Sequence, residues 1–153
     1  MTSAIKIASF NLRRDSFFAA RSRVRRWEAR RELVARMIRD SGAAIVGVQE
    51  MLPSMKEDIL ARLRDYSIFG SGRTKKRLSE HSAILLRGGK AKARFSDTFW
   101  LSKHPEKSGS RAYFSMFPRI CRVCDAYVEQ WGRTLRVFNT HFHHICAPAR
   151  TLR

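Results

Sequence analysis

The sequence predicts an α/β fold, and three stretches carry that prediction. Ala43-Ala44-Ile45-Val46-Gly47-Val48-Gln49-Glu50 is small or apolar until Gln49, the composition of a strand buried on both faces. Residues 24–40 before it show helical spacing, and Ser41-Gly42 supplies the left-handed stop. Ala4 to Phe10, ahead of these, alternates like a first strand ending at Asn11. Strand, loop, helix, tight turn and strand make a βαβ unit, so its two strands should run parallel. Glu50 then falls at the C-terminal end of its strand, the edge where ligands collect in open α/β sheets.

The remaining elements follow in order. Leu12 to Arg23 reads as a loop anchored by Phe17-Phe18-Ala19-Ala20. Val24, Trp27, Val34 and Ile38 form the apolar stripe of the first helix, with Leu33 and Met37 beside it. Ser54 and Glu57 fit a capping box, and the second helix runs to about Asp65, burying Ile59, Leu60 and Leu63. Tyr66 to Phe69 is a short strand broken by Gly70-Ser71-Gly72, and Arg73 to Ser79 is a basic loop. Ser82 to Leu86 is a buried strand, and Gly88-Gly89 turns the chain into an alternating strand, Lys90 to Phe95. Phe99-Trp100-Leu101-Ser102 is a brief apolar segment before a loop containing Pro105, Gly109 and Pro118. Arg119 to Glu129 and Arg133 to His141 flank Gln130-Trp131-Gly132 as a hairpin.

A length of 153 residues and 44% apolar content suit one domain with a real core. No run approaches the roughly 18 uncharged residues of a membrane span. Met1 to Lys6 has no basic region leading into an apolar signal core, so a cytoplasmic location is the default expectation. Three cysteines, an odd number, argue against a secreted disulfide framework. The 31 Lys and Arg against 13 Asp and Glu give a net charge of +18, a field that attracts nucleic acid, phosphorylated metabolites or anionic membrane surfaces. A generally arginine-rich composition, or separation from an acidic remainder, gives the same number. Ten arginines lie between Arg13 and Arg39.

Asn11 and Glu50 end adjacent parallel strands, so their side chains should converge on one rim. An amide oxygen and a carboxylate are hard ligands suited to Mg²⁺, which keeps several waters and binds substrate phosphate. Asn139-Thr140-His141 ends a third apolar strand, and a histidine there can act as general acid or base.

Taken together, Ser9-Phe10-Asn11-Leu12-Arg13, Val48-Gln49-Glu50, Glu80-His81-Ser82-Ala83-Ile84-Leu85 and Phe138-Asn139-Thr140-His141 resemble the endonuclease/exonuclease/phosphatase superfamily. Trp27 with Arg30, Phe99 to Ser102 with Gly109-Ser110, and Pro118-Arg119-Ile120-Cys121 look like a bacterial branch of it. The matches run in family order from Ser9 to about Arg150. The resemblance implies the N-terminal half of a two-sheet α/β sandwich, a mixed β-sheet flanked by helices, and Mg²⁺-dependent (or Mn²⁺-dependent) hydrolysis of phosphoester bonds by a nuclease or phosphatase. It also implies roles: Glu50 and Asn11 at the metal, and His141 at the scissile phosphate. Glu80 falls where an acid orients that histidine, and Arg13, Arg73 and Asn139 are the substrate-phosphate contacts. Nucleic acid is among the expected substrates, favoured by the basic charge.

The departures also carry expectations. The family's Gly-Asp-x-Asn and Ser-Asp-His motifs, expected over roughly another hundred residues on domain-size grounds, do not occur here. His143 stands where this branch carries Asp. Residues 1–153 are therefore read as a single truncated domain, weak or inactive alone, with an apolar sheet face available for self-association. A zinc site built on Cys121, Cys124, His141, His143, His144 and Cys146 is disfavoured, because Cys121 and Cys124 should point to opposite faces of a strand. The alternative function is a non-catalytic basic nucleic-acid-binding fragment using Arg13 to Arg39.

Overall fold

A computed structural model describes residues 4–15, 23–76, 79–112 and 115–142. Strand β1 (Ile7–Asn11) pairs with β2 (Ile45–Met51) in parallel, from Ile7 opposite Ile45 to Asn11 opposite Gln49. Helix α1 (Trp27–Ser41) makes the crossover. Gly42 ends it at φ +67° with its N–H on the Arg39 carbonyl, as the Ser41-Gly42 pair predicts. The other neighbour of β2 is β4 (His81–Arg87), which runs antiparallel, with β3 (Tyr66–Gly72) outside it. The sheet order is β1-β2-β4-β3, so β2 is parallel on one side only and the sheet is mixed.

The second sheet is antiparallel and holds β5 (Ala91–Trp100), β6 (Ile120–Val128) and β7 (Arg133–Thr140) in that order. The β6–β7 hairpin turns through Glu129–Trp131 and Gly132, where φ is +60°. The separately predicted Lys90–Phe95 strand and the first two residues of the Phe99–Ser102 segment prove to be one strand, which ends at Trp100. A shift in pairing between Ala93 and Phe95 interrupts the alternation that would have revealed its continuity.

Alternation along β2 divides its side chains between two cores. Val46 and Val48 pack with Ala83 and Leu85 against α1 and helix α2 (Pro53–Arg62), meeting Trp27, Val34, Ile38, Met55 and Ile59. Ala44, Ile45, Ile84 and Leu86 face the second sheet at Ala91, Cys124 and Ala126. The architecture is therefore helices, mixed sheet, antiparallel sheet: an α/β sandwich with helices on one face.

Several helix details differ from the sequence reading. Val24 lies in a separate 3-10 turn and is 78% exposed, and Ala35 joins the buried stripe of Trp27, Val34 and Ile38, with Leu33 and Met37 beside it as the spacing predicts. Helix α2 begins at Pro53 with Leu52 as its N-cap residue, so Ser54 sits inside the first turn and does not cap. Proline at that first position needs no N–H partner, which suits the earlier start. The helix ends at Arg62, and Leu60 is exposed while Met55 is buried in its place.

Gly70 pairs with Ala83 across β3 and β4, and an added Cβ would lie 2.5 Å from the Ala83 Cβ and 2.9 Å from its Cα. Neither neighbour is the tip of a flexible side chain. Gly70→Ala is expected to destabilise the fold by about 1–3 kcal/mol, read as a lower denaturant midpoint at unchanged slope. An unchanged midpoint would mean that the strands separate more easily than their contacts suggest.

Candidate functional site

The site forms where β1, β2, β4 and β7 end on one rim. Glu50 is its centre. Pairing of β2 with β4 slips between Val48 and Met51, and Glu50 takes φ +59° inside that bulge. A left-handed glutamate is strained by about 1–2 kcal/mol, and bulges of this kind re-aim a side chain. The strain is held by specific bonds. Asn11 Nδ2 donates to Glu50 Oε1 at 3.0 Å, and the Arg14 backbone N–H donates to Oε2 at 2.9 Å. Asn11 Oδ1 in turn accepts the Arg13 N–H at 2.8 Å, a local turn in which Arg13 itself has φ +52°.

Burial alone would raise the Glu50 carboxyl. The Asn11 and Arg14 N–H bonds and the positive charges of His141 and Arg14 outweigh it, so its pKa is held below the usual value of 4.5. Glu50 is thus ionised at neutral pH. His141 Nε2 lies 3.9 Å from Glu50 Oε1.

Glu80 sits beside this pair with both oxygens held by guanidinium groups. Arg14 Nη1 donates to Oε1 at 2.7 Å, and Arg73 Nη1 forms an ion pair with Oε2 at 3.0 Å. Arg73 is fixed in addition by its N–H on the Glu80 carbonyl, by Trp100 Nε1 on its own carbonyl, and by the Phe117 ring 5.2 Å from its guanidinium. Glu50, Arg73, Glu80, Pro118, Arg119 and His141 line one cleft, and His81 is also among its lining residues. Burial, and then the Lys56 charge, lower the His81 pKa, and its Nδ1 is buried without a hydrogen-bond partner.

Of the residues singled out in the sequence, Glu50, Asn11, Glu80, Arg73 and His141 come together. Two do not. Asn139 turns inward between the sheets, where its Nδ2 donates to the Val48 and Ala83 carbonyls at 2.9 and 2.8 Å. Its Oδ1 accepts from Gln49 Nε2 at 2.7 Å, so the whole amide is committed to the protein. Arg13 is exposed, and its backbone rather than its guanidinium serves the rim. Arg14 and Arg119 occupy the cleft instead. Arg119 lies in the Pro118-Arg119-Ile120-Cys121 stretch that carries part of the resemblance, without a role attached to it there; Arg14 left no sign, since neighbouring arginines are indistinguishable until a left-handed residue decides which one turns in. Among the described residues, the Arg13–Arg39 segment is likewise no uniform basic surface. Arg30 bonds the Leu12, Arg13 and Arg25 carbonyls, Arg31 pairs with Asp58, and Arg39 bonds the Arg62 carbonyl.

The donor set fits a Mg²⁺ ion that uses few protein oxygens, because an ionised carboxylate faces an open cleft and substrate phosphate and water can complete the shell. Asn11 presents its NH₂ to Glu50, so in this geometry it aims the carboxylate, and its Oδ1 keeps one lone pair beyond the Arg13 bond. Among the described residues no group of three or more His, Cys, Asp or Glu side chains is placed to hold a metal. Cys121 and Cys124 are three apart on β6 and face opposite sides, Cys124 in the inter-sheet core. His143, His144 and Cys146 lie outside the described residues. Burial raises both Cys121 and Cys124 thiols above their usual pKa. In a Cys146→Ser chain, a thiol reagent is expected to label neither cysteine until denaturant is added. Prompt labelling of the native chain would contradict this burial.

No helix among the described residues is long and apolar enough to cross a membrane. No protein-family model and no curated protein matches the chain. Solved structures do. The chain resembles an endonuclease/exonuclease/phosphatase from Bacteroides vulgatus at 30% identity and TM-score 0.88, covering 95% of this chain and 55% of that one. A Bacteroides thetaiotaomicron mannosyl-6-phosphatase matches at 31% identity and TM-score 0.89, over 96% and 55% of the two chains. D. rerio TDP2, solved with a single-strand DNA product, shares the fold at TM-score 0.69 and 14% identity, over 96% and 49%. The chain thus spans about half the length of the structures it matches.

Proposed function

We propose that this chain, which belongs to the endonuclease/exonuclease/phosphatase superfamily and corresponds to an N-terminal portion of its members, carries the metal-facing part of a phosphoester-hydrolysing site. The observation that carries this reading is Glu50. An ionised, partly buried carboxylate is kept in strained backbone by two bonds and aimed into a cleft beside His141 and Arg73. Strain maintained in this way serves a site, since the fold alone would favour glycine there.

Glu50 would hold Mg²⁺, with Asn11 and the Arg14 N–H orienting the carboxylate; the bound ion supplies Lewis acidity toward a phosphoryl oxygen. His141 Nε2 would hold or pass a proton at the scissile phosphate, a reading its 3.9 Å approach to Glu50 Oε1 supports. Glu80 grips Arg14 and Arg73, fixing two guanidiniums whose remaining N–H groups can orient phosphate oxygens. Glu80 is thus engaged by two arginines and Glu50 by the metal it would hold, so neither is a free base for water. That supports weak turnover by the chain alone, because activating water needs a further group.

The substrate is a phosphoester. A sugar phosphate agrees with the mannosyl-6-phosphatase relative, and nucleic acid agrees with the net charge of +18. The outer face of the second sheet, with Phe95 and Phe138 at 50% and 60% exposure, is the surface through which self-association would occur.

The test is hydrolysis of a chromogenic phosphoester with and without Mg²⁺, in the wild-type chain and in Glu50→Gln. Mg²⁺-dependent turnover that disappears in the variant supports the reading. Duplex binding that ignores both Mg²⁺ and the substitution, without any turnover, supports the non-catalytic nucleic-acid binder instead.

A further inference from the structure

We propose that Phe117 forms a stacking shelf at the cleft and selects phosphoesters whose esterified group carries a nucleobase. The inference rests on reading the cleft as a phosphoester site and names the substrate class of that site. Phe117 puts a phenyl ring into a cleft otherwise lined by Arg14, Glu50, Arg73, Glu80, Arg119 and His141. The Arg73 guanidinium lies over this ring, 5.2 Å from its centroid, and is itself tied to Glu80 Oε2 at 3.0 Å. The ring is therefore braced by a side chain that is already fixed.

The backbone holds the ring in place as well. Pro118 follows directly and keeps Phe117 out of the helical region. Ser115 Oγ donates to the Phe117 carbonyl, and the Ser115 N–H donates to the Ala112 carbonyl at 3.1 Å. Arg111 Nη1 donates to the Met116 carbonyl at 3.4 Å. This pinned loop nevertheless leaves Phe117 47% exposed and Met116 66% exposed. A single exposed phenylalanine needs no explanation on an ordinary surface. Braced against a site arginine, it offers a ligand in the cleft its open surface.

The chemistry of that surface decides what it takes. A phosphate held at Arg73 brings its esterified group beside the ring, because guanidinium and ring are in contact. A phenyl face offers dispersion and stacking but no hydrogen bond, so it favours a flat π-system over a hydroxyl-covered sugar. Exposed Lys75 and Lys76 follow Arg73 along its loop, and exposed Arg111 flanks Met116. Aromatic rings set among basic side chains are how single-stranded nucleic acid is held. A bare sugar phosphate uses the cleft and gains little from the shelf.

The experiment compares inorganic phosphate, ribose phosphate and adenosine monophosphate by calorimetry on the whole chain, with Mg²⁺ held constant. The wild-type chain is expected to bind adenosine monophosphate about tenfold or more tighter than ribose phosphate, the gain from one stacked base. Phe117→Ala should erase that ratio and leave inorganic phosphate binding unchanged, and Phe117→Trp should keep the ratio. The adenine proton resonances should also move upfield on binding to the wild-type chain, as stacking on a ring requires, so the wild type decides even if a variant fails to fold. Equal affinity for the two organic ligands, with inorganic phosphate still bound, overturns the proposal and leaves the cleft to sugar phosphates. A ratio that survives Phe117→Ala overturns it too. So does a loss that falls alike on all three ligands, since the ring would then serve only to brace Arg73. Failure of inorganic phosphate itself to bind removes the reading of the cleft, and the proposal with it.

Discussion

Replacing Asn139 by leucine is expected to lower the stability of the fold by about 3 kcal/mol or more and to disturb Glu50 at a distance. Asn139 comes from β7 of the second sheet but bonds the first. Its Nδ2 reaches the carbonyls of Val48 on β2 and Ala83 on β4, and its Oδ1 receives Gln49 Nε2. All three bonds are buried, so the substitution removes a partner from two carbonyl acceptors, each at about 1–3 kcal/mol, while Gln49 Nε2 keeps its contacts with Ser9 Oγ and the Gly47 carbonyl. Gly47 makes the arrangement possible, because a Cβ there would stand 2.9 Å from Asn139 Oδ1. Val48 is also where pairing with β4 departs from regularity to make the bulge that carries Glu50. Urea titration followed by tryptophan fluorescence measures the first effect. A stability within about 0.5 kcal/mol of wild type would show that the inter-sheet pin is not needed.

Glu50→Gln is expected to reduce Mg²⁺-dependent hydrolysis by about 100-fold or more, since Lewis-acid assistance supplies several kcal/mol and each 1.4 kcal/mol is a factor of ten. The amide keeps the shape and the Asn11 neighbourhood but removes the charge. Stability should respond differently. At φ +59° glycine is unstrained and alanine is not, so Glu50→Gly is expected to be more stable than Glu50→Ala by about 1 kcal/mol. Elsewhere in a strand the order is reversed. If alanine proves the more stable of the two, the backbone at this position relaxes and the strain is not stored there.

Much of the fold was legible because it depends on local pattern. The apolar run at Ala43 to Gln49, the Gly42 stop and the hairpin at Gly132 each state their structure within a few residues. The parallel pairing of β1 and β2 followed from the crossover rule. The misreadings have physical causes. The bulge in β5 broke a period of two and split one strand into two segments. Proline at Pro53 started α2 ahead of a serine that looked like a cap.

The candidate site was legible where residues stand at or beside strand ends, as Asn11, Glu50 and His141 do. It was illegible where a role depends on a partner far along the chain. Gln49 and Asn139 are separated by 90 positions, and nothing local distinguishes a buried amide pin from a phosphate contact. Arg14 was hidden for another reason. The left-handed turn at Arg13 sends one arginine outward and the next into the cleft, and a non-glycine residue in that conformation has no sequence signature.

The central claim is that Glu50 is a divalent-cation ligand aimed into a phosphate-binding cleft. Mn²⁺ binding, read by electron paramagnetic resonance, tests it most directly, because it needs neither turnover nor a known substrate. The wild-type chain should bind Mn²⁺, more tightly with inorganic phosphate present, and Mg²⁺ should compete. Glu50→Gln should abolish that binding while the chain stays folded by circular dichroism. Unchanged Mn²⁺ binding in folded Glu50→Gln would contradict the account.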